Sequence, residues 1–168
     1  MRAPSGIETR PMMDRVKEAL FSSLGVRVSG ARVLDLYAGS GALGIESLSR
    51  GAASVTFVER GRGALAALRS NLATLEFEGQ VVAADVESFL GGTGASYDLV
   101  FVDPPYRLSL ALVGEVLEGA AALLANGGVM VVHRQAGEEA PDAPAGTRRI
   151  DDRRYGRTQL WIYERGES

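Results

Sequence analysis

Apolar residues return along this chain in two rhythms. After Thr9-Arg10-Pro11, Met13, Val16, Leu20 and Leu24 recur at helical spacing and Gly25 stands where a helix ends, which predicts an opening amphipathic helix. Short, nearly continuous apolar runs follow. Arg32 to Leu36 predicts a strand that feeds a glycine-rich loop, Tyr37 to Gly41, and then a helix ending near Gly51. The alternation continues with a strand at Ser54 to Glu59, a helix from about Arg62 to Phe77, a strand at Gln80 to Ala84 and a short helix from Val86 to Leu90. Beyond the flexible Gly91-Gly92-Thr93-Gly94 stretch come a strand at Tyr97 to Val102, a helix across Leu110 to Leu124, a turn at Asn126-Gly127-Gly128 and a strand at Val129 to His133.

Strands that are apolar throughout belong in a parallel sheet covered on both faces, and helices between them supply right-handed crossovers. The end of the chain differs. Thr147 to Arg153 and Thr158 to Tyr163, with Tyr155-Gly156 between them, read as a terminal hairpin. The expected fold is therefore α/β and Rossmann-like, a mostly parallel seven-stranded sheet with a C-terminal antiparallel hairpin. One domain is expected over residues 1–168, with a segment and helix in 1–25 and the core in 26–168. Solenoid repeats, heptads and low-complexity tracts are not evident.

Composition narrows the chemistry. A chain of 168 residues, 46% hydrophobic, buries roughly 70% of its unfolded surface as one compact unit. No run approaches the roughly 18 apolar residues of a membrane span, and the first residues lack a signal-peptide core, so a cytoplasmic protein with no membrane partner is expected. Zero cysteines and a single histidine, His133, speak against disulfides, metal sites and histidine-based hydrolysis. His133 itself reads as structural, since a lone imidazole is weak evidence of acid–base work. The net charge of −3 confines any nucleic-acid surface to local clusters of arginine, because phosphate is held by Lys and Arg.

Gly39-Ser40-Gly41-Ala42-Leu43-Gly44 matches GxGxxG, whose glycines allow positive φ, close approach of a ligand and tight helix-to-strand packing. Alone the motif is generic. Its position between a strand and a helix puts it at the carboxyl edge, where open α/β sheets bind ligands. Asp35, four residues before Gly39, would oppose a pyrophosphate at the helix N-terminus but suits a cationic ligand such as S-adenosylmethionine, which carries an amino group and a sulfonium. Glu59, ending the second strand, fits an acceptor for ribose hydroxyls. Asp85, ending the third, fits either an acceptor for an adenine amino group or the N-cap of the next helix.

The fourth strand delivers Asp103-Pro104-Pro105-Tyr106 to the same edge. Consecutive prolines stiffen this elbow and hold two acceptors, the Asp103 carboxylate and the Pro104 carbonyl, in a reproducible arrangement. An exocyclic amine on a base is a poor nucleophile because its lone pair is delocalised into the ring. Two acceptors on its N–H groups favour a pyramidal nitrogen and aim that pair at an electrophilic carbon. Asp103 also suits proton acceptance, and Tyr106 offers a face on which an extruded base stacks.

These segments together resemble the RsmD-type family of 16S rRNA (guanine-N2)-methyltransferases. The likeness runs from Thr9-Arg10-Pro11 and Asp14-Arg15-Val16, through Leu36 to Gly44 and Glu46, to Phe101 to Tyr106 and the closing Tyr155-Gly156. It implies S-adenosylmethionine as cofactor, held by Asp35, Tyr37, Ala38, Gly39, Ser40, Gly41, Glu59, Arg60, Asp85, Val86 and Asp103. It implies Asp103, Pro104 and Tyr106 as the reaction centre, with Arg10, Arg15, Pro105 and Tyr106 on the substrate and no metal. The partner implied is 16S rRNA in the small ribosomal subunit or its assembly intermediate, engaged by a monomer. Arg153, Arg154 and Arg157 form a second candidate phosphate patch. Residues 1–8 stand where the family carries a longer basic segment, and Met12 stands where it generally has threonine. The reaction centre alone leaves adenine-N6 or another exocyclic amine open, and a dehydrogenase fragment or non-catalytic nucleotide-binding module is the reading from a different class.

Overall fold

The computed structural model describes residues 14–167, so Arg10, Met12 and the Thr9-Arg10-Pro11 segment lie outside the described residues. Helix α1 (Asp14–Leu24) turns Val16, Leu20 and Leu24 of the expected stripe inward together with Phe21, while Met13 lies outside the described residues. Gly25, at φ 53°, ends it and begins a short 3-10 turn. The elements that follow are β1 (Arg32–Leu36), α2 (Ala42–Ser49), β2 (Ser54–Glu59), α3 (Arg62–Leu75), β3 (Gln80–Ala83), α4 (Val86–Gly92), β4 (Tyr97–Val102), α5 (Leu110–Ala121), β5 (Leu124–Gln135), β6 (Thr147–Tyr155) and β7 (Thr158–Arg165). They form one seven-stranded sheet in the order β3-β2-β1-β4-β5-β7-β6. The β3-β2-β1-β4-β5 strands run parallel, and β7 lies antiparallel between β5 and β6.

Alternation along each strand divides the core between the two faces of the sheet. On β4, Leu99 and Phe101 join the cluster beneath α1, α2 and α3, whereas Val100 and Val102 join the cluster beneath α4 and α5. Both faces being covered is why these strands read as unbroken apolar runs. On α1, the Phe21 ring lies 5.7 Å from that of Phe101, and the Arg50 guanidinium sits 5.2 Å over Phe21.

Several boundaries differ from the sequence reading: α4 runs on through Gly91 and Gly92 of the stretch expected to be flexible, and β5, β6 and β7 are longer than expected, while two helix ends have a plain local cause. Helix α3 stops at Leu75 rather than Phe77, because Glu76 turns left-handed (φ 58°) and the amides of Glu76 and Phe77 reach back to carbonyls of the last turn. Helix α5 ends at Ala121, and Leu124 already pairs with Tyr97 as the first residue of β5. Asn126-Gly127-Gly128 is thus a bulge inside β5, absorbed where the register jumps from Tyr97–Leu124 to Leu99–Val129.

Candidate active site

The parallel register brings the strand ends to one edge. Leu36 faces Val58 on one side and Val102 on the other, and Val102 faces Val132. The loop after β1 therefore starts beside Glu59 at the end of β2, beside the elbow after β4, and one strand away from His133 on β5.

In the glycine loop the conformation is carried by the backbone. Tyr37 has φ 60°, a left-handed geometry seldom adopted by a non-glycine residue, followed by Gly39 at 59° and Gly41 at 92°. A Cβ at Gly39 would project into open space, so the angle and not packing requires glycine there. At Gly41 a Cβ would come within 2.4 Å of the Leu68 side chain, and at Gly44 within 2.3 Å of the Phe57 ring. The third glycine of the motif thus lets α2 press onto β2. Ala38 is buried and bonds the Val58 carbonyl at 3.0 Å, while Asn71 donates to the Ser40 carbonyl at 3.0 Å.

Asp35 is 1% exposed and accepts a 3.0 Å hydrogen bond from the Gly44 amide, in the first turn of α2. Burial pushes its carboxyl well above the usual range. The Gly44 amide pulls it down, and the nearby Asp103 and Glu59 carboxylates add to the rise. Glu59 gathers three backbone amides: Gly39 at 2.8 Å through Oε1, and Arg60 at 3.0 Å and Gly61 at 2.8 Å through Oε2. Asp85 occupies the N-cap position of α4 without a capping bond, and its carboxylate instead accepts from Arg60 at 3.0 Å. Val86 is buried behind it. The Tyr37 hydroxyl is buried with no hydrogen-bond partner among the described residues. Burial pushes its pKa up to about 12, with Glu87 adding to the rise and Arg60 and Arg134 opposing it.

The elbow is built differently. Pro104 is buried, Pro105 is exposed and Tyr106 is half-buried. Asp103 Oδ1 lies 2.8 Å from His133 Nδ1, and the Tyr106 hydroxyl lies 3.5 Å from His133 Nε2. Arg134, 1% exposed, donates to the carbonyls of Pro105 (3.1 Å), Tyr106 (3.4 Å) and Leu108 (3.0 Å) and pairs with Glu138 at 2.8 Å. Neither residue of the His133-Arg134 pair was singled out for function by sequence reasoning. Two signals pointed to them. Parallel register sets the residue after Val132 beside the residue after Val102, and a charged arginine directly after an apolar run needs a partner.

Thus the residues expected on the cofactor, from Asp35 through Gly41 with Glu59, Arg60, Asp85 and Val86, share one edge with Asp103, Pro104, Pro105 and Tyr106. Arg15 is exposed on α1. In the hairpin, Arg153 donates to Asp151 at 2.8 Å and Arg154 to the Gly156 carbonyl at 3.3 Å, so these two side chains are partly spent within the turn, while Arg157 is exposed.

The carboxyl groups of Asp35, Glu59 and Asp103 interact along this edge, two of them bonded to amides of the glycine motif, a set of acceptors suited to a cationic ligand with hydroxyl and amino groups and ill suited to phosphate. Among the described residues no cluster of His, Cys, Asp and Glu is able to hold a metal, and no helix is long and apolar enough to cross a membrane.

A profile of the family described as Conserved hypothetical protein 95 matches residues 1–164. The chain is 37% identical over 169 residues to ribosomal RNA small subunit methyltransferase D of Escherichia coli, spanning 98% of this chain and 85% of that protein. Identity to YlbH of Bacillus subtilis is 35% over 170 residues, 98% of this chain and 92% of that one. The solved structure of the yhhF protein of Escherichia coli superposes with a TM-score of 0.87 at 36% identity, covering 99% of this chain and 91% of that chain. The fold also matches SMU.776, a methyltransferase-fold chain crystallised with SAH, at a TM-score of 0.73 and 15% identity, over 89% of this chain and 48% of that one.

Proposed function

Because this chain belongs to the RsmD family, described as Conserved hypothetical protein 95, we propose that it transfers a methyl group from S-adenosylmethionine to the exocyclic N2 amino group of a guanine in 16S rRNA. The observation that carries this reading is the adjacency of two loops: Leu36 and Val102 are in register, so the acidic elbow begins beside the glycine cradle.

When bound, S-adenosylmethionine supplies an electrophilic methyl group on a sulfonium. The backbone of Tyr37 to Gly41, with Asp35, Glu59, Arg60, Asp85 and Val86, would hold it, and the clustered carboxylates balance its positive charge. Tyr106 stacks the extruded base, with Pro105 alongside. The Asp103 carboxylate and the Pro104 carbonyl accept the amine's N–H groups and turn its lone pair outward. Transfer would break the methyl–sulfur bond and leave a neutral thioether, and the proton that the nitrogen sheds would pass to the Asp103 carboxylate. Arg15 and the hairpin arginines contact phosphates and position the RNA without reading its bases. The partner is 16S rRNA in the small subunit or its assembly intermediate, met in the cytoplasm by a monomer.

The test is incubation with methyl-labelled S-adenosylmethionine and unmodified small subunits, naked rRNA or DNA, followed by mass spectrometry of the labelled nucleoside. N2-methylguanosine from the small subunit is expected. Label in N6-methyladenine would replace the guanine reading, and absence of transfer to all three would overturn it.

A further inference from the structure

His133 has both ring nitrogens engaged by the elbow. It is 3% exposed, its Nδ1 is 2.8 Å from Asp103 Oδ1, its Nε2 is 3.5 Å from the Tyr106 hydroxyl, and the two rings meet edge to face at 6.1 Å and 81°. The fold enforces this meeting. Val102 and Val132 are paired, so the next residues of β4 and β5 are neighbours, and β7 backs His133 with Leu160. Arg134, the following residue, bonds the carbonyls of the same elbow, so two consecutive residues of β5 grip it, one through its side chains and one through its backbone.

The hydrogen bonds dictate a proton arrangement. An ionised Asp103 only accepts, so Nδ1 must carry the hydrogen. In a neutral ring Nε2 then bears the lone pair, and the Tyr106 hydroxyl must donate to it. We propose that His133 is a positioning residue that acts through this Nδ1–H tautomer, locking the proton-accepting carboxylate of Asp103 and the stacking ring of Tyr106 into one unit. Binding one carboxylate oxygen to the imidazole leaves the other to face the amine, and the Asp103 side chain stays 29% exposed and reachable. Such orientation matters because small misplacements of a reacting group cost large factors in rate.

The kinetic part of this inference rests on the proposed methyl transfer, and the structural part does not. Two near-isosteric variants separate the proposal from a merely packed core histidine. His133→Asn keeps an amide donor near the Nδ1 position, whereas His133→Gln sets one near Nε2. The expected kcat of H133N is within roughly threefold of wild type and that of H133Q is down about 30-fold, with KM for S-adenosylmethionine unchanged in both. Equal losses, or no loss in either, overturn the positioning role. The second readout needs no activity. As the chain has a single histidine, the nitrogen–proton correlation spectrum of untagged protein reports His133 alone. The Nδ1–H tautomer is expected near pH 8, and an Nε2–H ring overturns the proposal whether or not wild type transfers methyl. A wild type inactive on every substrate, with the Nδ1–H tautomer present, counts against the methyl-transfer reading and leaves the positioning geometry standing.

Discussion

The glycine loop after β1 and the proline elbow after β4 leave the same edge of the sheet, yet opposite chemical groups hold them. In the first, a carboxylate, Glu59, accepts from the Gly39 amide of the loop and is itself held by the amides of Arg60 and Gly61 just after β2. In the second, a guanidinium, Arg134, donates to three backbone carbonyls. The difference follows from composition. Gly39, at positive φ, turns its amide toward Glu59, an acceptor, while Pro104 and Pro105 lack N–H groups and leave carbonyls in surplus, which need a donor with several hydrogens. The glycine loop is shaped by its own backbone and trimmed by a side chain. The elbow depends on a residue nearly thirty positions away for its anchor, since consecutive prolines stiffen a segment without attaching it to anything.

If the elbow carries the chemistry and the glycine loop the cofactor, damage to each should register in different quantities. Asp103→Ala is expected to lower kcat at least about 100-fold while leaving cofactor affinity largely intact by calorimetric titration. Unchanged turnover would remove Asp103 from the reaction. Arg134→Met should cost about 3 kcal/mol in a urea melt, because it strips a shared donor from three partly buried carbonyls and removes the ion-pair partner of Glu138, and activity should fall with it. A variant as stable as wild type would show the elbow to be self-supporting. Gly44→Ala should cost about 2 kcal/mol by forcing Phe57 aside, with the cofactor KM rising more than kcat falls. Glu59→Gln, which replaces one accepting oxygen by an amide nitrogen, should cost about 1 kcal/mol and weaken cofactor binding without changing the pH profile of kcat.

The smallest expected effect concerns pH. The carboxyl of Asp35 is raised in the folded state, so folding favours its protonated form. The stability it contributes is fully present below the unfolded value of 3.8 and is lost as pH rises through the folded value. Asp35→Asn retains an oxygen for the Gly44 amide and removes this dependence. As pH rises above 3.8 the wild type should lose stability relative to D35N, and D35N should bind S-adenosylmethionine less well. Parallel stability curves for the two proteins would mean that Asp35 holds no displaced proton. The pattern would place Asp35 among residues that trade stability for a ligand.

How much of this was legible beforehand varies with the element. The strand from Tyr97 to Val102, the glycine loop and the elbow could be read directly, since each is a local pattern of apolar, glycine or proline residues. Asp85 was read as either a cap or an acceptor; it takes the cap position but turns its carboxylate to Arg60, a choice made by a residue on the neighbouring loop. The end of α5 differs from the sequence reading because Leu123 and Leu124 continue its apolar character, and only pairing with Tyr97 draws Leu124 into β5 and leaves Leu123 in the turn before it.

His133 and Arg134 mark the boundary most sharply. By itself the sequence determined the alternation of strands and helices, the glycine backbone and the stiffness of the elbow, because these follow from φ restrictions and from side-chain periodicity within a few residues. Only the tertiary structure decided what holds the elbow still. That required β5 to lie beside β4 in a particular register, and register is set by packing both faces of the sheet at once, across residues that the chain separates by about thirty positions.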